Sequence, residues 1–208
     1  MARDTSPQCK QCRREGQKLF LKGERCMTEK CGVERRSTPP GMNTMRRRKV
    51  SEYGLQLREK QKLRKSYSVL ERQFRNYFDK ADQRKGVTGE NLLRMLEMRL
   101  DNAVFRMGFA SSRAQARQLV SHGHFAVNGR PTNVPSYATK VGDRIEVRES
   151  RRGREVFKVA AETMKAAQIP EWVSVDPTKL SGTVLAEPAR EQMPLEFNEQ
   201  LVVEYYSR

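Results

Sequence analysis

Apolar residues are scarce in this 208-residue chain, at 37% of the sequence, with 7% aromatics, one Trp, two His and four Cys. An average globular chain holds roughly 45–50% apolar residues, so an unusually large share of this surface must be polar. No stretch approaches the ~18 consecutive apolar residues of a membrane-spanning helix, so no membrane role is expected. The opening MARDTSPQ lacks the apolar core of a signal peptide, which makes the cytoplasm, where thiols stay reduced, the expected compartment. There is no phosphate-cradling glycine motif, no internal repeat, and no Ser/His/Asp or paired-carboxylate spacing that would support catalysis.

Positive charge is what the chain has in excess: 41 Lys/Arg against 25 Asp/Glu, a formal +16. It is unevenly spread. Residues 1–65 carry 19 basic against 7 acidic side chains and residues 66–150 carry 14 against 9, while residues 151–208 carry 8 against 9. A surface charged only for solubility mixes its signs, so a block of this size points to a polyanionic partner, nucleic acid before membrane.

All four cysteines fall between residues 9 and 31, as Cys9-x2-Cys12-x13-Cys26-x4-Cys31. Two close pairs separated by a loop suit a closed four-thiolate metal site, with Gly16, Gly23 and Gly32 where the chain must turn. So short and polar a segment cannot order itself by burial, and metal would supply its folding energy. Zinc is the default ion, and a four-iron, four-sulfur cluster is the alternative. Disulfides fit a reducing compartment poorly. Four thiolates and one divalent zinc lower the segment's formal charge by two, and its seven Lys/Arg against three Asp/Glu still leave it basic.

Beyond Cys31, Pro39, Pro40 and Gly41 exclude a helix, and the run Arg46, Arg47, Arg48, Lys49 reads as an irregular basic linker ordered on its partner. Leu63, Tyr67, Leu70, Phe74, Tyr77, Phe78 and Ala81 recur at helical spacing, with a capping-box signature at Ser68 and Glu71. These aromatics read as core, not as base-stacking platforms. A second stripe runs from Leu92 to Met107, and a short helix begins at Ser112, capped with Gln115 in the reciprocal position. Phe125 to Val127 leads into the hairpin dipeptide Asn128-Gly129, and Arg144 to Val147 alternates as a strand. EVFKVAAETMKAAQ reads as helix, the prolines between 170 and 194 as loops around Trp172, and LVVEYY at the end as a strand.

Residues 98–148 thus form a compact helix–helix–hairpin unit. Arg113 and Arg117, four apart, share one helix face, expected to be exposed, with Arg106 just before the inter-helix loop and His122, His124 and Asn128 just after the helix. Such a ridge suits phosphates and 2′-hydroxyls more than a base-edge code. His122 and His124 as a metal pair would lack a third ligand.

RLDNAVFRMGFASSRAQARQLVSHGHFAVNG closely resembles the RNA-binding module of the small-ribosomal-subunit protein four family. REKQKLRKSY, ERQFRNYF, GVTGENLLRMLEMRLDN, PSYATKVGD and NEQLVVEYYSR resemble its bacterial members in the same order, and the cysteines resemble the metal-binding form of the family. Residues 151–200 match least clearly. The resemblance implies an α+β protein in three parts: a metal arm and basic linker over 1–45, a helical domain over 46–97 rejoined by 155–208, and the RNA-binding module over 98–154. It implies primary binding to 16S rRNA early in assembly, beside ribosomal proteins three and five and near the channel through which mRNA enters. Family members can also repress their own operon.

Carried over by motif, Arg106, Ser112, Arg113, Arg117, Gln118, His122, His124 and Asn128 are the implied rRNA contacts of the module. Arg13, Arg14, Lys22, Arg25, Arg46, Arg47, Arg48, Arg58 and Lys62 are expected phosphate contacts, and Cys9, Cys12, Cys26 and Cys31 the metal ligands. Two other classes stay in view. An RNA-modifying enzyme carrying the same module would need a catalytic domain for which the chain has no room. A zinc-dependent DNA regulator would need a recognition helix near the metal, and residues 13–25 show none.

Overall fold

The computed structural model describes residues 4–42, 49–166, 169–193 and 197–207. The chain is α+β and divides into two compact units, Met1–Leu93 with Pro194–Arg208, and Arg94–Met193. The return to the first unit, expected from residue 155, begins at 194. Residues 155–193 instead pack with the second unit, where Phe157, Met164, Trp172 and Val184 join its core. No helix among the described residues is long and apolar enough to cross a membrane.

In the first unit, α1 (Gln8–Glu15) is followed by a 3-10 turn (Gly23–Met27) and α2 (Gly32–Arg35), then α3 (Glu52–Ser66) and α4 (Glu71–Asp82). The α3–α4 break falls where the sequence placed it, but Ser68 does not cap α4. Ser68 is left-handed (φ 52°), and the N-cap is Leu70, which makes no side-chain cap bond. The stripe of α3 and α4 is buried through Leu63, Phe74, Phe78 and Ala81.

The terminal LVVEYY is a helix, α10 (Glu199–Tyr206), not the expected strand. Strand propensity gives way to tertiary packing here. The Asn198 carboxamide oxygen accepts from the Gln200 and Leu201 N–H groups, Val202 is fully buried, and Tyr206 stacks on Phe78 at 4.6 Å.

The stripe from Leu92 to Met107 is divided between α5 (Thr88–Glu97), which carries the boundary between the units, and α6 (Leu100–Arg106). The helix breaks because the backbone at 98–101 bonds to a loop instead. Leu100 N donates to Tyr137 O at 2.9 Å, Asp101 N to Pro135 O at 3.1 Å, and Thr139 N to Met98 O at 2.8 Å. In α7 (Arg113–Ser121) the Ser112 hydroxyl accepts from Gln115 N as expected, but the Gln115 carboxamide accepts from Ser111 instead of Ser112.

A five-stranded antiparallel sheet, order β2-β1-β3-β5-β4, completes the second unit. It comprises β1 (Phe125–Val127), β2 (Arg130–Thr132), β3 (Arg144–Val147), β4 (Val173–Asp176) and β5 (Ser181–Val184). Asn128 (φ 50°) and Gly129 (φ 76°) make the β1–β2 turn, with the positive φ at both positions that a primed two-residue turn requires. Between β3 and β4 lie α8 (Glu149–Arg152) and α9 (Glu155–Ala166). The core is built from Val104, Met107, Phe109, Phe125, Ile145, Val147, Phe157 and Trp172.

Candidate nucleic-acid interface and cysteine arm

In the N-terminal arm the four cysteines are free thiols that line one cavity of about 10 Å³, with Leu21, Lys22 and Gly32. Cys9 and Cys12 are a helical turn apart on α1, while Cys26 lies in the 3-10 turn and Cys31 precedes α2. A Cβ built on Gly32 would meet Cys9 Cβ at 2.8 Å and its Sγ at 3.3 Å, so glycine permits this approach. Lys22 N donates to Cys26 Sγ at 3.4 Å. Burial pushes the Cys12 thiol above its ordinary pKa, the Leu19 backbone N–H opposes that, and the thiols of Cys26, Cys9 and Cys31 add to the rise. Among the described residues, no group of three or more His, Cys, Asp or Glu side chains is arranged to hold a metal ion.

The arm is held to α3 by Glu15, whose buried carboxylate accepts from Lys65 Nζ at 2.6 Å and Arg58 Nη1 at 3.4 Å. Arg58 and Lys62, both expected at phosphates, therefore have acidic partners in the protein, Lys62 through Glu59 at 2.9 Å. The Arg13 guanidinium donates to the Thr38 and Pro39 carbonyls. Arg14, Lys22 and Arg25 are exposed, whereas Arg46, Arg47 and Arg48 lie outside the described residues.

In the second unit the expected arginine ridge is built around two buried carboxylates. Glu97 accepts from Arg106 in a fork, at 2.9 and 2.8 Å, and from Asn102 at 2.7 Å. Arg113 Nε donates to Asn102 Oδ1 at 2.7 Å, with its guanidinium 4.8 Å from the Phe105 ring centroid. Asp101 accepts from Arg99 in a second fork and from Arg117 at 2.9 Å. Arg117 is only 5% exposed, so it does not share a solvent-facing surface with Arg113 as its spacing suggested.

The remaining expected contacts divide the same way. His124 is 3% exposed, Ser112 is a helix cap, and Asn128 fixes its turn by donating to Asp143 Oδ1 and accepting from Arg144 N, both at 2.8 Å. Gln118 and His122 are open to solvent, and Arg106 and Arg113 are partly so. The sequence reading missed Arg99, Glu97, Asp101 and Asn102, which orient this face, because charged residues on an apolar stripe read as its polar edge. It also passed over Arg148, Arg151, Arg152 and Arg154, although four arginines in seven residues are a visible charge run.

Two family models together cover residues 3–145. Residues 3–97 match the ribosomal protein S4/S9 N-terminal domain, and residues 98–145 match the S4 domain. The small ribosomal subunit protein uS4 of Syntrophomonas wolfei is 59% identical over 209 aligned positions, spanning all of both chains. The protein of the same name from Geobacter sp. strain M21 is 54% identical over 208, and uS4A of Symbiobacterium thermophilum 55% over 208, again across the full length of each. The chain belongs to the uS4 family of small-ribosomal-subunit proteins. The charge gradient and the helix–helix–hairpin unit therefore sit in a chain that resembles these relatives from end to end.

Proposed function

We propose that this chain is a structural constituent of the small ribosomal subunit, with no catalytic role, and that it grips folded 16S rRNA through residues 98–154 and the basic arm. The full-length match to small-subunit proteins carries this reading, and the geometry suits it. Glu97 and Asn102 hold Arg106 and Arg113 in fixed orientations beside exposed Gln118 and His122, so the donors facing a phosphate or 2′-hydroxyl are preorganised. Arg117, Asp101 and Arg99 support that face from beneath.

The reading extends to early assembly in the cytoplasm, to ribosomal proteins three and five and mRNA near its entrance as neighbours, and to repression of its own operon. The family resemblance supports these further steps. Cys9, Cys12, Cys26 and Cys31, which line one cavity, would hold one zinc ion, with a four-iron, four-sulfur cluster as the alternative. When bound, that ion supplies a redox-silent crosslink for an arm too polar to hold itself together.

The test is equilibrium binding of the full chain to 16S rRNA and to duplex DNA over a range of salt. Several phosphate contacts give a log–log slope of roughly −5 or steeper, with rRNA preferred. A slope near −1, or equal affinity for DNA, overturns the proposal.

A further inference from the structure

A third group of arginines lies beyond residues 3–145, which the two family models match. The turn after β3 folds against the loop before β1. Arg148 N donates to His124 O at 3.0 Å, and the Arg148 guanidinium donates to Gly123 O at 3.1 Å. Arg151 and Arg154 follow on the same short segment, and Arg148, Arg151 and Arg154 all act electrostatically on the His124 ring.

Neutralisation separates this group from the ridge. Arg99, Arg106, Arg113 and Arg117 each have a buried carboxylate partner. Among the described residues, Arg148, Arg151, Arg152 and Arg154 have no ion-pair partner, and neither Glu149 nor Glu155 bonds to them. Two polar atoms here are orphaned as well. His124 is 97% buried and its Nδ1 has no partner, and neither does the buried Nε of Arg151. Buried polar atoms without partners are rare and call for a ligand or an ordered water. The His124 ring is held edge-on by Phe157 at 5.7 Å, and Phe157, itself fully buried, can offer no hydrogen bond.

We propose that Arg148, Arg151 and Arg154 form, around His124 and with exposed His122 at the rim, an anion subsite that takes a backbone phosphate of bound RNA. Planar guanidinium groups suit the tetrahedral oxygens of phosphate, and the exposed His122 imidazole supplies one more donor. Among the described residues, the group's guanidinium charges have no carboxylate partner, so a phosphate is the fitting ligand. The subsite rests on the rRNA-binding reading and deepens it, by placing a second anchor on the segment between β3 and α9.

The experiment uses the full chain, labelled with 15N at histidine, wild type and as the variants R151Q/R154Q and R154Q. The affinity for 16S rRNA is measured across salt, and the His124 ring resonances are followed on adding rRNA or, separately, inorganic phosphate. RNA should move the wild-type His124 resonances, and the salt slope should become shallower by about two in the double variant and about one in R154Q. Arg154 is exposed, so the single variant stays informative if the double variant is misfolded. Unchanged slopes with unmoved His124 resonances overturn the subsite. Movement by inorganic phosphate but not by rRNA reassigns it to a free anion and equally overturns the RNA contact. Failure of the wild type to bind rRNA at all would instead remove the functional reading on which the subsite stands.

Discussion

Arg117 Nη1 donates to Asp101 Oδ2 at 2.9 Å, and both side chains are buried, at 6% and 7% exposure. The same carboxylate accepts from Arg99 at 2.7 Å. Arg117→Ala would leave the Asp101–Arg99 pair intact but open a void and strip one partner from a buried charge. The expected loss is about 3 kcal/mol, the low end for breaking a buried ion pair. Arg113→Ala should cost less, about 1–2 kcal/mol, because Glu97 keeps its fork with Arg106. Denaturant unfolding of both variants orders them. An Arg117→Ala protein as stable as the wild type would mean that this guanidinium is not part of the core.

The cysteine arm predicts about one zinc per chain and no iron when protein purified without oxygen is measured by elemental mass spectrometry. Chelation should expose the arm to protease while leaving residues 98–193 resistant, because that unit has its own core. Cys12→Ser, removing a buried thiol from the shared cavity, should abolish stoichiometric zinc. About four irons per chain would exchange the single ion for a cluster.

Much of this architecture was legible because local signals and tertiary packing agreed. Asn128-Gly129 dictated its turn, Ser112 its helix start, and the spacing of Leu63, Phe74 and Phe78 one buried stripe. The failures came where packing overrode local preference. LVVEYY has the composition of a strand, yet Tyr206 finds Phe78 only as a helix. The Leu92–Met107 stripe is broken by backbone bonds to residues 135–139, a partner invisible to periodicity. At the ridge, four-residue spacing correctly put Arg113 and Arg117 on one helix but could not reveal Asp101, which draws one of them inward.

Strand β5 crosses the core at Gly182, paired to Ile145 and to Val175. A Cβ there would lie 2.6 Å from Met107 Sδ and 3.1 Å from the Ser174 carbonyl oxygen. The thioether could swing aside, but Met107 is fully buried and the carbonyl is fixed by the sheet. Gly182→Ala should therefore destabilise the chain by about 1–3 kcal/mol, the usual range for overpacking a core. Unfolding that matches the wild type would show that the sheet yields at this point.

His124 should make stability depend on pH between neutrality and mild acid. Burial, then the charges of Arg154, Arg151, His122 and Arg148, hold its pKa below the ordinary histidine value near 6.5. In the window between the folded and unfolded values the unfolded chain binds the extra proton. Stability therefore rises with pH there: the contribution is complete above about 6.5 and is lost as pH falls through the folded pKa. His124→Gln removes this titration and leaves His122 and every carboxylate in place, so the difference between the two melting profiles isolates one side chain. Wild type should lose more stability than His124→Gln between pH 7.5 and pH 5.5, and rRNA should diminish the difference, because a phosphate beside the ring favours its charged form. Parallel profiles for the two proteins would show that the buried ring titrates no differently folded than unfolded.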